Sequence, residues 1–456
     1  MKSDWQNKHV AILGLGMEGL STAKFLKDKG AHLVVLDRKG KDEMSPSYVK
    51  TLDTLGVQWV LGSQYLDDLT SYDVVIRTPG IPYTHRKLQE AILHGVSVTS
   101  HTKLFFDLCP GEIIGVTGTK GKGTTASLIY EMLRSSGKDV FLGGNIGTPP
   151  LDFLPQLTKD SIVVLELSSF QLQDMDKSPH IAVMLMVTSE HLDYHKDIDE
   201  YINAKRNLLR HQLPSDIAIL NRDYPVTNES DILTEGKVLF VSREREVDEG
   251  CFLRNNAIWT KLAGSEQKII DTADILLPGR HNLENVCAAV LAASLAGASQ
   301  KALVSVLRSF KGLVHRLQLV RTVNNVRYYD DSFSTTPETA IAAIQAFKAP
   351  EILILGGSSK GSDFTGLGKV IREAENIKAI IGIGDEWEEI KSKIKNQRSK
   401  ILMVEGATSM QQVVQAAAKI ASPGDVVLLS PACASFGMFQ NYKERGDKFQ
   451  HEVNLL

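Results

Sequence analysis

The run Gly115–Thr125 (Gly-Val-Thr-Gly-Thr-Lys-Gly-Lys-Gly-Thr-Thr) concentrates the groups that hold a polyphosphate. Glycines let backbone N–H groups crowd around phosphate oxygens, a lysine reaches the β- and γ-phosphates, and a neighbouring hydroxyl holds Mg²⁺. Gly118, Thr119, Lys120, Gly121, Lys122, Gly123, Thr124 and Thr125 are therefore candidates for holding a nucleoside triphosphate. The run departs from the strict P-loop: its first glycine is one residue out of register, and Gly123 stands where Ser or Thr should follow the lysine. Thr124 or Thr125 must then supply the magnesium hydroxyl. Downstream, the apolar run Ile162–Leu165 ends in Glu166-Leu-Ser168-Ser169-Phe-Gln171, and Ile181–Val187 ends in Thr188-Ser189-Glu190-His191. A carboxylate and an imidazole at the ends of strands beside a phosphate loop are placed to share a magnesium site. Lys205, in Tyr201-Ile-Asn-Ala-Lys205-Arg-Asn, reads by composition as a solvated surface lysine.

A second glycine pattern, Gly14-Leu15-Gly16-Met17-Glu18-Gly19, follows the apolar Ala11–Leu13 and opens a helical pattern, with Asp37 about 20 positions on. Glycines there let backbone amides approach a diphosphate at a helix N-terminus. Taken alone the pattern predicts a dinucleotide dehydrogenase, but that reading leaves the second loop unexplained.

These residues need strands that end in turns. Apolar runs at His9–Leu13, Leu33–Asp37, Asp73–Arg77, Glu112–Thr117, Ile162–Leu167, Ile181–Val187, Glu351–Leu355, Lys378–Ile383 and Asp425–Leu429 are continuous, as in strands buried on both faces of a parallel sheet. Helical patterns at Gly19–Lys29, Thr124–Ser135, Glu284–Leu295 and Pro337–Phe347 alternate with them, which makes the chain α/β. The strand–Gly–helix pattern restarts at Leu13-Gly14, Thr117-Gly118 and Leu355-Gly356, so three consecutive α/β domains are expected, divided as residues 1–106, 107–311 and 312–456. The polar stretch Arg222–Gln267 reads as a peripheral hairpin region of the middle domain.

Composition narrows the function. The 456 residues suggest two to four domains, and 43% hydrophobic residues suffice for several cores. With 51 Lys+Arg against 54 Asp+Glu, the net charge of −3 gives no basic surface for nucleic acid. Four cysteines, Cys109, Cys251, Cys287 and Cys433, are too few and scattered for a disulfide scaffold. The opening residues lack an apolar signal-peptide core, and Val286–Gly297 is short of the ~20 residues that span a bilayer. A soluble cytoplasmic protein, bound to no membrane, is the expectation.

The motifs together resemble the Mur ligases across essentially the whole chain. Their carriers are GLGMEGLS at Gly14–Ser21, TPGIP at Thr78–Pro82, TGTKGKGTT at Thr117–Thr125, GGNIG at Gly143–Gly147, LELSSFQL at Leu165–Leu172 and TSEHLDYH at Thr188–His195. AKRNLL at Ala204–Leu209, GRHNLENV at Gly279–Val286, HRLQ at His315–Gln318, DDS at Asp330–Ser332, GGSSKGSDF at Gly356–Phe364 and SPACASFGMFQNYKERG at Ser430–Gly446 complete the match. The resemblance implies a Rossmann-like UDP-binding domain, a central P-loop-type ATPase with a mainly parallel sheet, and a Rossmann-like C-terminal domain that brings an amino acid. It implies ATP-dependent addition of D-glutamate to UDP-N-acetylmuramoyl-L-alanine through an acyl phosphate, by a monomer, in cytoplasmic peptidoglycan precursor synthesis.

Site roles follow from the same resemblance. Lys122, Glu166, His191 and Lys205 would be catalytic. Two Mg²⁺ ions would be held by Thr124, Glu166, His191 and Lys205, the last as a carbamate on a desolvated amine of lowered pKa. Asn282, Asn285, Arg316 and Asp331 would lie around ATP. Gly14, Leu15, Gly16, Met17, Asp37, Arg38, Thr78, Pro79, Gly80, Asn145, Ser168 and Gln171 would bind the UDP substrate. Thr335, Lys360, Ser435 and Tyr442 would hold the glutamate. Phe333 stands where the family commonly has lysine, and Ser100-His101-Thr102-Lys103 replaces a more acidic segment. A folyl-substrate ligase would lack the first glycine-loop domain. A regulator without catalysis would have no use for Lys122, Glu166, His191 and Lys205 together.

Overall fold

Three sheets account for the apolar runs. The computed structural model describes residues 5–188, 194–358, 362–394, 401–435 and 437–456. The chain divides into two compact units, one of residues 1–272 with 284–306 and the other of 273–283 with 307–456.

The first sheet has strands β1 (His9–Leu13), β2 (His32–Asp37), β3 (Gln58–Leu61), β4 (Val74–Arg77) and β5 (Ser97–Ser100). Their order is β3-β2-β1-β4-β5 and every neighbouring pair is parallel. Strand order reverses between β1 and β4, so the loops after both open on one crevice, where α/β sheets bind ligands. The helix Met17–Lys27 starts directly after β1 and buries Gly19, Ser21, Thr22, Ala23 and Leu26.

The second sheet has β6 (Glu112–Thr117), β7 (Val140–Gly144), β8 (Ile162–Glu166), β9 (Ile181–Met184), β10 (Ile217–Asn221), β11 (Lys237–Ser242), β12 (Gly250–Arg254), β13 (Ala257–Leu262) and β14 (Ser265–Asp271). Its order is β14-β13-β12-β11-β10-β9-β6-β8-β7. Pairing is parallel from β7 to β12 and antiparallel from β12 to β14. The expected hairpin region is thus β12–β14 at one edge, while β11 extends the parallel sheet. Asn255 and Asn256 (φ 49° and 53°) join β12 to β13, and Ala263 and Gly264 (φ 49° and 79°) join β13 to β14. Two-residue turns of positive φ match the twist of paired antiparallel strands.

The third sheet, in the second unit, has β15 (Gln318–Val323), β16 (Val326–Asp330), β17 (Glu351–Gly356), β18 (Ile377–Ile383), β19 (Leu402–Val404) and β20 (Val426–Leu429). Its order is β15-β16-β20-β17-β18-β19, parallel except for the β15–β16 hairpin.

The first two sheets share one hydrophobic core. Val10, Ile12 and Val35 of the first belong to the same buried cluster as Phe105, Phe153, Val163 and Ala182. Phe153 meets Phe105 edge-on at 5.8 Å and stacks on Phe141 at 5.3 Å. Ser21 Oγ donates to Asp152 Oδ1 at 2.7 Å across the same seam.

His101 sits in this seam, 1% exposed. The Thr22 hydroxyl donates to Glu18 O at 2.7 Å, so its only proton is spent and His101 Nδ1, 2.9 Å away, must be the donor to it. Nε2 then holds a buried lone pair without a partner among the described residues. Burial pushes the imidazole down to about 3 against a weaker opposing hydrogen bond to the Glu18 backbone. A depressed histidine stabilises the fold above its unfolded value near 6.5, and that stability is lost as pH falls toward 3. Between pH 6.5 and 4.5 the native protein should lose about 2 kcal/mol that His101→Gln does not lose. Urea unfolding across that range checks this; parallel pH profiles would exclude it.

Candidate active site

The phosphate loop connects β6 to the helix Lys122–Ser135, which Gly121 caps at φ 87°. Thr119 N donates to Met186 O at 2.6 Å, and Thr188 N donates to Thr119 Oγ1 at 2.9 Å, so the loop is laced to the segment after β9. Lys122 Nζ donates to Gly118 O and Thr119 O, each at 3.0 Å. A cation folded onto its own loop in this way is placed where polyphosphate oxygens would meet it. Thr124 is 6% exposed, Thr125 is fully buried with no hydrogen-bond partner for Oγ1 among the described residues, Gly123 is buried, and Lys120 faces solvent. Asn285, on the helix Asn282–Leu295, presses on the loop: a Cβ at Gly121 would lie 2.2 Å from its Oδ1.

Parallel pairing brings Glu166 beside this loop. It ends β8, level with Val116 of β6 and Gly144 of β7. Asn145 Nδ2 donates to its Oε1 at 3.0 Å, while Oε2 is buried and has no hydrogen-bond partner among the described residues. A buried carboxylate oxygen without a donor is suited to a hard cation. Among the described residues no three His, Cys, Asp or Glu side chains converge; His191 lies outside the described residues.

Lys205 is not a surface lysine. The helix Ile198–Arg210 turns Tyr201, Ala204, Lys205, Leu208 and Leu209 inward, which is helical i, i+3, i+4, i+7, i+8 spacing. Lys205 is 1% exposed; Nζ donates to Gly118 O at 2.8 Å and lies 4.6 Å from the centre of the Tyr201 ring. Lys122 and Lys205 therefore share one carbonyl of the phosphate loop.

The first loop is bound to its own sheet. Asp37 Oδ2 accepts from Leu15 N and its Oδ1 from Lys39 N. Thr78 N and Oγ1 both donate to Leu13 O, joining the loops after β1 and β4. Gly14 and Pro79 are half-buried, and Gly16, Met17, Arg38 and Gly80 are exposed. Ser168 and Gln171 form a reciprocal cap on the short helix Ser169–Leu172, with Ser168 N donating to Gln171 Oε1 at 2.9 Å. Gln171 Nε2 reaches Glu18 Oε1 at 2.6 Å, and burial raises the Glu18 carboxyl to about 7.

In the second unit, Asp331 follows β16 and is 2% exposed. It accepts from Leu317 N at 3.0 Å, Ser334 Oγ at 2.5 Å and Ser430 Oγ at 2.7 Å, and burial raises it to about 7. The Arg316 guanidinium stacks 4.3 Å from the Phe333 ring centre, and Phe333 meets Tyr442 edge-on at 5.1 Å. Asn282 Nδ2 donates to Pro278 O at 2.6 Å. Ser435 is buried and Thr335 half-buried; Lys360 lies outside the described residues. The structure thus brings Arg316, Phe333 and Tyr442 together, and it engages Asp331 internally.

Comparison with known proteins meets this geometry. Family models match at residues 8–100 (Mur ligase MurD-like, N-terminal domain), 116–293 (Mur ligase middle domain) and 315–433 (Mur ligase, glutamate ligase domain). The chain is 38% identical to UDP-N-acetylmuramoylalanine--D-glutamate ligase of Acetivibrio thermocellus, covering 100% of this chain and 98% of that one. It is 37% identical to the enzyme of the same name from Symbiobacterium thermophilum, covering 98% of each. The chain belongs to the Mur ligase family. Solved structures agree on the fold: UDP-N-acetylmuramate-alanine ligase MurC of Thermotoga maritima has a TM-score of 0.61 at 17% identity, covering 98% of this chain and 100% of that one. MurF ligase of the same organism, in complex with ADP, has 0.58 at 19%, covering 99% and 96%.

Mur ligases use ATP and Mg²⁺, and this Mur ligase has the three-domain α/β architecture of the family. Sequence reasoning passed over Arg77, Asp174 and Glu18, which join the first sheet to the second. The available signal was an arginine closing the otherwise apolar run Val74–Ile76.

Gly121→Ala should cost about 2 kcal/mol, because φ 87° disfavours an L side chain and the new Cβ meets Asn285. In an Asn285→Ala background the cost should fall by about 1 kcal/mol. Urea unfolding of the four proteins tests this; additive costs would show that Asn285 does not press on the loop.

Proposed function

We infer that this Mur ligase joins D-glutamate to UDP-N-acetylmuramoyl-L-alanine at the expense of ATP. The supporting observation is the convergence of Lys122, Lys205 and Glu166 on the loop after β6, in a chain that matches D-glutamate ligases over its full length. A carboxylate is a poor electrophile, and transfer of the γ-phosphoryl group to it creates a leaving group. The amine of D-glutamate then attacks the acyl phosphate, and phosphate departs from the tetrahedral intermediate.

Each residue's task follows from its position. Lys122 would leave its loop carbonyls for the β- and γ-phosphates and offset the charge spread over the transferring phosphoryl oxygens. Glu166 Oε2, Thr124, His191 and Lys205 would hold two Mg²⁺ ions, which supply electrostatic stabilisation of that charge. Lys205 would serve as a carbamate, formed from its neutral amine and CO₂ with release of a proton. Burial of its amine beside Gly118 O supports that reading, because desolvation disfavours the charged ammonium. The loops at Gly14–Met17 and Thr78–Gly80, with Asp37 and Arg38, would take the UDP moiety, while Asn145, Ser168 and Gln171 would meet the muramoyl-alanine end. Gly118–Thr125, Asn282, Asn285, Arg316 and Asp331 would surround ATP; Thr335, Lys360, Ser435 and Tyr442 would take glutamate. The modules divide at residues 1–106, 107–311 and 312–456, and the enzyme works as a cytoplasmic monomer.

Phosphate release should require UDP-N-acetylmuramoyl-L-alanine and D-glutamate together. Equal release with L-glutamate or with dihydropteroate, or none with any acceptor, overturns the assignment. Lys205→Ala should lower turnover by at least ~100-fold, with partial recovery in a short-chain carboxylic acid. Full activity in that variant rules out the carbamate.

A further inference from the structure

Arg77 ends β4, level with Leu13 at the end of β1. Its side chain is 1% exposed. Nη1 donates to Ile81 O at 3.0 Å, closing the turn that contains Thr78, Pro79 and Gly80. Nη2 donates to Phe170 O at 3.0 Å and to the Asp174 carboxylate, itself 2% exposed. Phe170 belongs to the short helix Ser169–Leu172 that Ser168 and Gln171 cap. One planar fork therefore grips a loop of the first sheet and a helix of the second. Two neighbouring bonds span the same seam, Tyr83 N to Gln173 Oε1 at 2.8 Å and Gln171 Nε2 to Glu18 Oε1 at 2.6 Å.

A buried ion pair is a poor source of stability, because desolvating both charges offsets their attraction, and an apolar pair of similar volume often serves as well. What the guanidinium offers is direction: its N–H groups leave in fixed directions in one plane, which a lysine ammonium cannot reproduce. An arginine whose donors are divided between Ile81 O and Phe170 O fixes the distance between the two segments.

We propose that Arg77 is a positioning residue for the UDP substrate, setting the span between the loop Thr78–Gly80 and the Ser168–Gln171 segment. The proposal rests on the reading that these segments bind opposite ends of one substrate. The substrate bridges them, so a change in their separation weakens its binding, while ATP on the phosphate loop is unaffected. Arg77 touches neither substrate nor reacting atoms in this role.

Steady-state kinetics of Arg77→Lys test it. KM for UDP-N-acetylmuramoyl-L-alanine should rise about tenfold, with KM for ATP and kcat within about twofold of wild type. The double variant Arg77→Met/Asp174→Leu replaces the pair by apolar groups and keeps the seam filled. It should unfold at or above the wild-type temperature yet show the same raised KM. An active wild type with unchanged KM in both variants overturns the proposal, as does a loss confined to stability that the double variant repairs along with KM. A wild type that releases no phosphate with this substrate overturns instead the reading on which the proposal rests.

Discussion

Parallel pairing of β7, β8, β6 and β9 is the constraint from which the active site follows. Gly144 and Val116 lie level with Glu166, and Thr117 lies level with Met184, so the loops after all four strands emerge over one edge. Strands paired in this way are reconnected by crossovers and covered on both faces, which is why β8 and β9 are buried throughout. The polar groups concentrate where the coverage stops. Glycine suits such loops because it lets backbone amides, rather than side chains, come nearest an anionic ligand.

That logic explains what could be read in the sequence. Continuous apolar runs located β1, β2 and β4 of the first sheet, β6, β8 and β9 of the second and β17, β18 and β20 of the third, and glycines marked the ends of β1, β6 and β17. Strand β10, in the middle of the second sheet, escaped notice although Ala218–Leu220 is apolar and buried. Lys205 could not be placed from composition, because a lysine's burial depends on which face of its helix turns inward and on the carbonyl it meets there. Its neighbours Tyr201, Ala204 and Leu208 held the pattern, yet a single charge on an apolar face reads as an exception until a partner is visible. Short strands such as β3, β5 and β19 escaped notice because each has only three or four residues, mostly exposed or half-buried, too few to stand out as a buried strand. Arg77 was legible as the end of a strand but not as a fork, since its acceptors are Ile81 and Phe170 carbonyls that any residues could supply.

The second unit shows how a substitution at one position redistributes roles. Phe333 gives Arg316 an aromatic face to lie on and gives Tyr442 an edge to meet. Arg445, buried below, donates to Ser332 Oγ and Ser332 O and to the carbonyls of Cys433 and Ala434, so the Asp-Asp-Ser turn and the Ser-Pro-Ala-Cys segment are held by one cation. Arg316 and Tyr442 are half-buried and Phe333 is exposed, whereas the Asp330 and Asp331 carboxylates are buried and hydrogen-bonded. The Arg316 guanidinium is thus held in one orientation by the ring it lies on.

The core shared by the first two sheets has a consequence for modularity. Phe105 leans on Phe153, and Ile12 and Val35 belong to the same cluster as Val163 and Ala182. Residues 1–106 excised as a fragment would present an apolar wall to water, with Phe105 at its centre. In evolutionary terms such a seam resists shuffling: a donor domain transplanted onto another ATPase would have to bring the matching aromatic surface with it. The first sheet is thus tied to the second by packing that neither would keep alone.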